Sequence, residues 1–211
     1  MDAIMLSFNT NQDFSQNYKF FIGSIVPRPI AFVSTLNQDG TNNVAPFSFF
    51  TAVSASPMII CFSPMIRVST GQKKDTLINI EREKEFVINF VSEAIVNKVN
   101  QCAQEFPYGT DEMKQVGFTP IPSKQVKCKR VKESLIHFEC RLRDILNYGD
   151  QAGAGSLVTG EVVQVHVDES IYQDGRINTD LFNPVGRGAG QDWIKTTDRF
   201  ELSRLTKAQI Q

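Results

Sequence analysis

Apolar residues along the chain fall mostly into short runs separated by turn residues, which is the pattern of antiparallel β-sheet. The runs at 30–36, 58–63 and 86–91 have the length and the Ile, Val and Phe content of strands. Asp39-Gly40 is a strong hairpin signal, so we expect residues 44–53 to pair antiparallel with the run at 30–36. The first half of the chain therefore predicts strands connected by hairpins.

Two longer alternating segments, at 135–148 and 156–167, complete the strand pattern. A sheet of many strands leaves exposed edges unless it closes on itself. We therefore predict a mainly β fold in which the sheet closes into a barrel, with a few flanking helices.

Helical spacing of apolar residues is confined to short segments. A helix is predicted from residue 93 to Pro107, with Ser92 as its N-cap. Its apolar face consists of Ile95, Val99, Cys102 and Phe106. A short helical piece is expected at 111–116, within a long connection. Residues 1–19 are polar and are expected to form an ordered arm or a short edge element.

The stretch 42–51 departs from the strand pattern. It places Asn, Ala, Pro and Ser at positions where a core strand would carry Val or Ile. This mixture indicates a binding surface.

The segment 73–76 places two lysines, a carboxylate and a hydroxyl at the first turn of a short helix whose apolar residues are Leu77 and Ile80. Free backbone N–H groups and the helix dipole favour a bound anion there. The side chains that could donate to a phosphate are Ser48, Ser63, Lys74 and Thr76. Alternatively, the two lysines form a solvated face, Asp75 or Thr76 is an ordinary helix cap, and Ser48 faces water.

Charge and composition exclude several classes of protein. Lys and Arg number 22 and Asp and Glu 23, so the chain has no electrostatic footprint for nucleic acid or an anionic membrane. Apolar stretches are broken well before the ~20 residues that a bilayer requires, and residues 1–8 are too short and uncharged for a signal peptide. We expect one domain over 1–211, soluble and cytoplasmic. The four cysteines are widely spaced, which favours buried free thiols over disulfides or a metal site.

Motifs of nucleophilic catalysis and metal binding are absent from the sequence, including G-x-S-x-G, S-x-x-K, H-E-x-x-H and the P-loop. His137 and His166 lie within strand patterns, where a satisfied sheet residue is favoured over a catalyst. The glycines at 186–190 resemble a dinucleotide fingerprint only superficially, because no strand precedes them. We therefore predict neither a catalytic acid or base nor a metal site.

Several motifs occur together in a characteristic order. They are Pro27-Arg28-Pro29-Ile30-Ala31-Phe32-Val33-Ser34-Thr35, Asn43-Val44-Ala45-Pro46-Phe47-Ser48-Phe49-Phe50, Lys74-Asp75-Thr76, Glu85-Phe86-Val87-Ile88-Asn89, Phe138-Glu139-Cys140, Gly160-Glu161-Val162-Val163 and Pro184-Val185-Gly186-Arg187. With them the chain resembles the flavin reductase-like family of FMN-binding split β-barrel proteins, including the flavoredoxin type. The resemblance spans nearly the whole chain.

The resemblance implies a split barrel of Greek-key type, a homodimer with FMN near the subunit interface, and reduction of the flavin by NADH or NADPH. It implies that Ala45, Pro46, Phe47 and Ser48 line the flavin. It implies that Ser63 and the Lys74-Asp75-Thr76 helix start reach the ribityl chain or the phosphate. Arg67 and Arg187 are candidates for the phosphate or for the nicotinamide cofactor.

Two features leave alternatives open. Related chains often show R-x-G-G followed by an aromatic residue, whereas Arg187 and Trp193 are spaced differently here, so their roles are open. Arg28 either faces the open side of the flavin or is a surface arginine.

The resemblance fits an NAD(P)H:flavin oxidoreductase serving a monooxygenase or another redox protein, or else an electron carrier with tightly held FMN. A barrel without flavin is the third hypothesis.

Overall fold

The fold is built on β-strands with short helices around them, in a computed structural model that describes residues 4–11 and 14–204. The strands are β1 (Ala31–Leu36), β2 (Asn42–Phe47), β3 (Phe50–Ala55), β4 (Met58–Phe62), β5 (Glu85–Phe90), β6 (Pro120–Ile121), β7 (Arg130–Val131), β8 (Ile136–Asn147), β9 (Ser156–Val167), β10 (Tyr172–Gln173), β11 (Arg176–Ile177), β12 (Val185–Arg187) and β13 (Trp193–Lys195). The helices are α1 (Phe14–Ser24), α2 (Asp75–Glu83), α3 (Val96–Gln101), α4 (Glu112–Val116) and α5 (Thr179–Phe182), with a 3-10 turn at Glu169–Ile171. In the part of the chain described, no helix is long and apolar enough to cross a membrane.

Seven strands form one antiparallel sheet in the order β2-β1-β5-β8-β9-β4-β3. Its two edge strands, β2 and β3, are consecutive in the chain and only Ser48 and Phe49 separate them. The sheet must therefore curl until its edges meet, although these two strands form no ladder with each other. We call the gap between β2 and β3 the split. The predicted mainly β split barrel with few helices is confirmed.

The expected single strand over 44–53 is wrong. The chain leaves the first hairpin after Phe47, and β3 pairs with β4 instead of β1. The main-chain N–H of Ser63 donates to the carbonyl of Phe49 at 2.8 Å, which holds the chain against the end of β4. This contact lies between residues distant from the hairpin turn, so the local pattern could not show it.

The barrel interior is filled by aromatic and branched side chains. The Phe62 ring packs against Phe47 in a tilted arrangement and against Phe86 edge to face, with ring centroids 5.2 and 5.5 Å apart. Helix α2 contributes Leu77 and Ile80 to the same buried cluster. Burial of these two side chains fixes the first turn of α2 beside the split.

A second cluster lies on the other side of β1 and includes side chains of the α3 and α4 regions.

Helix α3 is shorter than predicted, since it ends at Gln101, and its N-cap is Ile95 without a side-chain hydrogen bond. The prediction that Ser92 caps this helix is wrong, because Ser92 forms a β-bridge with Pro184 instead. Helix α4 is confirmed, with the Asp111 side chain accepting from the Lys114 N–H.

The N-terminal prediction is also corrected. Residues 14–19 belong to α1, which contains no fully buried residue, rather than to an arm or edge strand. Polar residues interrupt the apolar residues of this helix, so their helical spacing gave only a weak signal in the sequence. The parts of this prediction at 1–3 and 12–13 lie outside the described residues.

Candidate functional site

A cavity of about 270 Å³ opens at the split. All ten residues predicted to bind the cofactor line it: Ala45, Pro46, Phe47, Ser48, Ser63, Arg67, Lys74, Asp75, Thr76 and Arg187. They come from β2, the end of β4, the start of α2 and β12, which are far apart in sequence. The fold thus brings the predicted residues to one place, and their contact with a cofactor stays a prediction.

The free edge of β2 forms one wall. The N–H of Val44 points away from β1 and donates to Glu112 Oε2 at 2.8 Å. Pro46 lies two residues further on the same side and has no N–H to offer, which suits an unpaired edge. The N–H groups of Ser48 and Phe49 donate to no acceptor among the described residues. Two main-chain donors therefore remain available at the split.

The start of α2 forms a second wall. The N–H groups of Asp75 and Thr76 also lack an acceptor in the described structure. Lys74 is half-buried beside them, and its pKa is lowered by burial and then by the nearby Arg67 charge. Arg67 pairs with Asp75 at 2.8 Å, so part of the positive charge is already balanced. These groups make the helix start a place for an anion.

A buried hydrogen-bond network fixes α2 against the first hairpin. The hydroxyls of Thr76 and Thr35 both donate to Asn43 Oδ1 at 2.9 Å. Asn79 Nδ2 donates to Thr35 Oγ1 at 3.0 Å and to Asn37 Oδ1 at 2.8 Å. Because the Thr76 hydroxyl proton is used here, its main-chain N–H is the group left for a ligand.

The alternative that Arg28 is a surface arginine is wrong, and the lining of the cavity does not support a position facing the flavin. Its side chain is buried and does not line the cavity. The guanidinium donates to the carbonyls of Ile22, Ile25 and Gly188 at 2.8, 3.0 and 2.7 Å, and Nε donates to Ser48 Oγ at 3.2 Å. Burial lowers the pKa of Arg28. Arg28 therefore holds α1, the split and the 188 segment together.

The two lysines at the start of α2 differ. Lys73 is exposed and pairs with Glu81 at 2.5 Å, so it does form a solvated face. Lys74 instead lines the cavity.

Arg187 and Trp193 form one wall of a neighbouring cavity. The guanidinium carbon of Arg187 lies 5.0 Å from the Trp193 ring centroid, and its nitrogens donate to the carbonyls of Asp192 and Gly190. A second cavity of about 510 Å³ shares Asn100, Arg187 and Trp193 with the first. The two cavities therefore adjoin.

Sequence reasoning missed Glu112 and did not assign Cys102 to the site. Glu112 lines the cavity with its side chain almost fully buried. Burial raises the pKa of Glu112 to about 7, and the pKa of the Cys102 thiol to about 12. An acidic residue at a helix start is common, so no signal in the sequence separated Glu112 from an ordinary first-turn residue.

The two histidines and three of the four cysteines lie outside the cavity. His137 is buried with Nε2 2.8 Å from the Val131 carbonyl oxygen, and His166 lies 2.6 Å from Glu139 Oε1. Neither lines the cavity. All four cysteines are free, and the prediction of buried thiols is confirmed for three of them, whereas Cys61 is half-buried. The described residues contain no cluster of His, Cys, Asp and Glu suited to a metal ion.

Comparison with known proteins identifies the family. The family model of the flavin reductase-like domain matches residues 22–179. The chain belongs to this family. The resemblance inferred from the motifs is thereby confirmed, and every predicted site residue except Arg187 lies inside the matched range.

Three relatives of this flavin reductase-like chain match it over nearly their full length. Nitrilotriacetate monooxygenase component B from Bacillus cereus has a TM-score of 0.90 and 36% identity, covering 95% of this chain and 100% of that one. A 2-nitrobenzoate 2-nitroreductase from Pseudomonas fluorescens has a TM-score of 0.83 and 33% identity, with 97% of each chain covered. An uncharacterised protein of Halalkalibacterium halodurans is 36% identical over 201 residues, which is 92% of this chain and 93% of its own.

The flavin typical of the family suits the cavity of this flavin reductase-like chain. An isoalloxazine ring needs a flat apolar wall and hydrogen-bond donors at its polar edge, which β2 and residues 48–49 supply. A phosphate needs cationic and N–H donors, which Lys74 and the start of α2 supply.

Proposed function

We propose that the protein is a cytoplasmic NAD(P)H:flavin oxidoreductase that binds FMN at the split. The observation that supports this most is the placement of two separate sets of unused N–H donors, at 48–49 and 75–76, around one cavity. One set suits the polar edge of a flavin ring and the other suits its phosphate. Family membership supports flavin as the ligand.

The ring end of the site acts mainly through main-chain atoms. When bound, the isoalloxazine carries the hydride and electron chemistry. The N–H groups of Ser48 and Phe49 orient its polar edge, while Ala45 and Pro46 cover it from water. Arg28 keeps Ser48 in place through its Nε hydrogen bond, so it is a positioning residue. No side chain is assigned as a catalytic acid or base.

The phosphate end relies on charge. Lys74 and the N–H groups of Asp75 and Thr76 bind the phosphate, and Ser63 binds the ribityl chain. Arg67 acts more weakly than its charge suggests, since Asp75 neutralises part of it at 2.8 Å. The Asp75 side chain itself repels an anion, so its contribution comes from its main-chain N–H.

The adjoining cavity is the proposed place of the nicotinamide nucleotide. It shares Arg187, Trp193 and Asn100 with the flavin cavity, so a molecule there lies next to the flavin. An arginine and an aromatic side chain suit a phosphorylated nucleotide. This neighbourhood favours an enzyme that is reduced by NADH or NADPH.

A partner that receives reduced flavin is also proposed. The similar Bacillus cereus protein is described as component B of a monooxygenase, which supports a reductase role in a two-component system. The electron carrier with tightly held FMN is the alternative.

Purified protein tests the function directly. Its absorption spectrum after exhaustive dialysis shows whether flavin is retained, and NADH and NADPH oxidation is measured with and without added FMN. We expect oxidation of at least one nucleotide that depends on FMN. Retained flavin without turnover would favour the carrier, and failure to bind FMN would exclude both functions.

Replacing Lys74 by Ala tests the phosphate end. We expect FMN binding to weaken roughly 10- to 150-fold, because a charge-assisted hydrogen bond contributes about 1.5 to 3 kcal/mol. Riboflavin, which has no phosphate, should bind nearly as before. Lys73→Ala is the matched control, since Lys73 is paired with Glu81 outside the cavity. Equal losses for both flavins would remove Lys74 from the phosphate.

A further inference from the structure

Glu112 is a buried acid in the cavity that the proposed chemistry does not use. It is the first residue of α4 and its side chain is only 5% exposed. Its Oε2 accepts from the Val44 N–H at 2.8 Å, which fixes the carboxyl group on the wall of the cavity. Lys74, Asp75 and Thr76 line the same cavity. A phosphate at the start of α2 therefore shares a poorly hydrated space with this carboxyl group.

Charged and polar groups on several neighbouring elements influence the pKa of Glu112. Burial is the largest influence and raises its pKa to about 7, whereas the hydrogen bond from Val44 lowers it. Asp75 on α2 raises the pKa further, and Asn43 on β2 and Arg67 lower it. Lys74 is close enough to sense its charge. The group can therefore exist in either protonation state near neutral pH.

The Cys102 thiol on the other side does not compete for the proton. Its pKa is raised to about 12 by burial and by the charge of Glu112, so it stays neutral. Glu105 also lines the cavity, but its Oε2 accepts from the exposed Ser69 hydroxyl at 2.6 Å. Glu112 differs from the other carboxyl groups of this cavity in being buried beside the start of α2 without an ion-pair partner among the described residues.

A bound phosphate monoester changes the balance between the charged and neutral forms of Glu112. Its second ionisation lies near pH 6, so above neutral pH it brings about two negative charges into the cavity. Two like charges in a space of low dielectric repel each other strongly. Uptake of one proton from solvent by the Glu112 carboxylate removes that repulsion and leaves its other oxygen bonded to Val44.

We propose that Glu112 couples phosphate recognition to protonation, so that it takes up a proton from solvent when a phosphate monoester binds beside Lys74. This inference rests on the proposed function for the placement of the phosphate. Its consequence is that FMN binds more weakly as the pH rises above neutral, whereas riboflavin does not.

Binding constants across pH test the coupling. FMN and riboflavin are titrated into flavin-free protein from about pH 7 to about pH 8.5, a range above the phosphate's second ionisation, and bound flavin is measured by fluorescence. We expect the FMN dissociation constant of the unmodified protein to rise by up to about tenfold per pH unit above neutrality, the slope of one linked proton. Riboflavin should show a flat profile.

Glu112→Gln is the decisive variant, because an amide oxygen still accepts from Val44 but carries no charge. We expect its FMN profile to be flat and its affinity at alkaline pH to exceed that of the unmodified protein. Glu105→Gln is the matched control and should keep the original slope. The Glu112 carboxylate also raises the pKa of Lys74, which favours phosphate binding, so a higher alkaline affinity of Glu112→Gln reports the repulsion between Glu112 and the phosphate.

Calorimetry on the unmodified protein gives a second measurement that does not depend on the variant folding. FMN is titrated at about pH 8 in buffers of different ionisation enthalpy, and we expect uptake of up to about one proton per FMN and none per riboflavin. Normal binding of both flavins without proton uptake, or equal slopes in the unmodified and Glu112→Gln proteins, would overturn this role while leaving the proposed function intact. Absence of flavin binding would overturn both.

Discussion

At the scale of single residues, Arg28 shows what the sequence could and could not reveal. Its place between two prolines predicts a rigid loop. Its partners include the carbonyl of Gly188, 160 residues later, and such a contact leaves no trace in local spacing. The same applies to Glu112, whose bond to Val44 spans 68 positions. Residues that act through distant partners were therefore the ones missed.

Arg28→Lys should be strongly destabilising. Lysine keeps the charge but cannot reach all the acceptors of the guanidinium, and hydrogen bonds involving a charged group contribute about 1.5 to 3 kcal/mol each. We expect the free energy of unfolding in urea to fall by roughly 2 kcal/mol or more. Arg143→Lys is the control, because its exposed ion pair with Glu161 should contribute less than about 1 kcal/mol. Similar losses for both variants would contradict the role of Arg28.

At the scale of elements, those with a strong local signal were predicted well. The long alternation at 135–148 and 156–167 predicted β8 and β9, and the short helix expected at 111–116 is α4. The break between β2 and β3 was missed because it depends on tertiary contacts of residues 48–49. Local propensity cannot show where a strand changes its partner.

Gly160 in β9 leaves no room for a larger side chain, which a substitution can test. A Cβ atom there would lie 2.4 Å from Cζ of Phe86, which is fully buried inside the barrel. Gly160→Ala should therefore overpack the interior and lower the free energy of unfolding by roughly 1 to 3 kcal/mol.

Gly23 in α1 provides the contrast to Gly160, because its Cβ would meet nothing within 4 Å. Gly23→Ala should stabilise the protein by up to about 1 kcal/mol through helix propensity. Urea unfolding curves measure both variants, and a stable Gly160→Ala protein would show that Phe86 can move aside.

At the scale of the molecule, the residues predicted for the site lie around one cavity, although each segment alone indicated less than a complete site. Spacing within 42–51 and 73–76 indicated only a phosphate, and the ordered set of motifs supplied the flavin. The barrel then brought both segments to one cavity. Sequence spacing alone cannot show which distant segments pack together. The approach of residues 42–51 to residues 73–76 could therefore be predicted only from the family resemblance.

We propose the homodimer that the family resemblance implies, with the exposed face of β3 as part of its interface. Among the described residues β3 forms no ladder on the side of the split, and its Val53 side chain is 58% exposed. An exposed apolar side chain on an edge strand is a candidate contact for a second copy of the chain. Light scattering after gel filtration should give twice the 23.7 kDa of one chain. Val53→Glu should shift the protein toward monomer, whereas Val68→Glu, also exposed but outside the sheet, should not. A monomeric unmodified protein would exclude the dimer.

The split also has a practical consequence for finding ligands. Only two residues join its edges, and a molecule in the cavity touches β2, the end of β4 and the start of α2 together. Such a molecule stabilises the folded protein and raises the melting temperature by an amount that grows with the ratio of its concentration to its dissociation constant. A melting-temperature screen of phosphorylated and unphosphorylated ring compounds would therefore rank ligands without any assay of turnover.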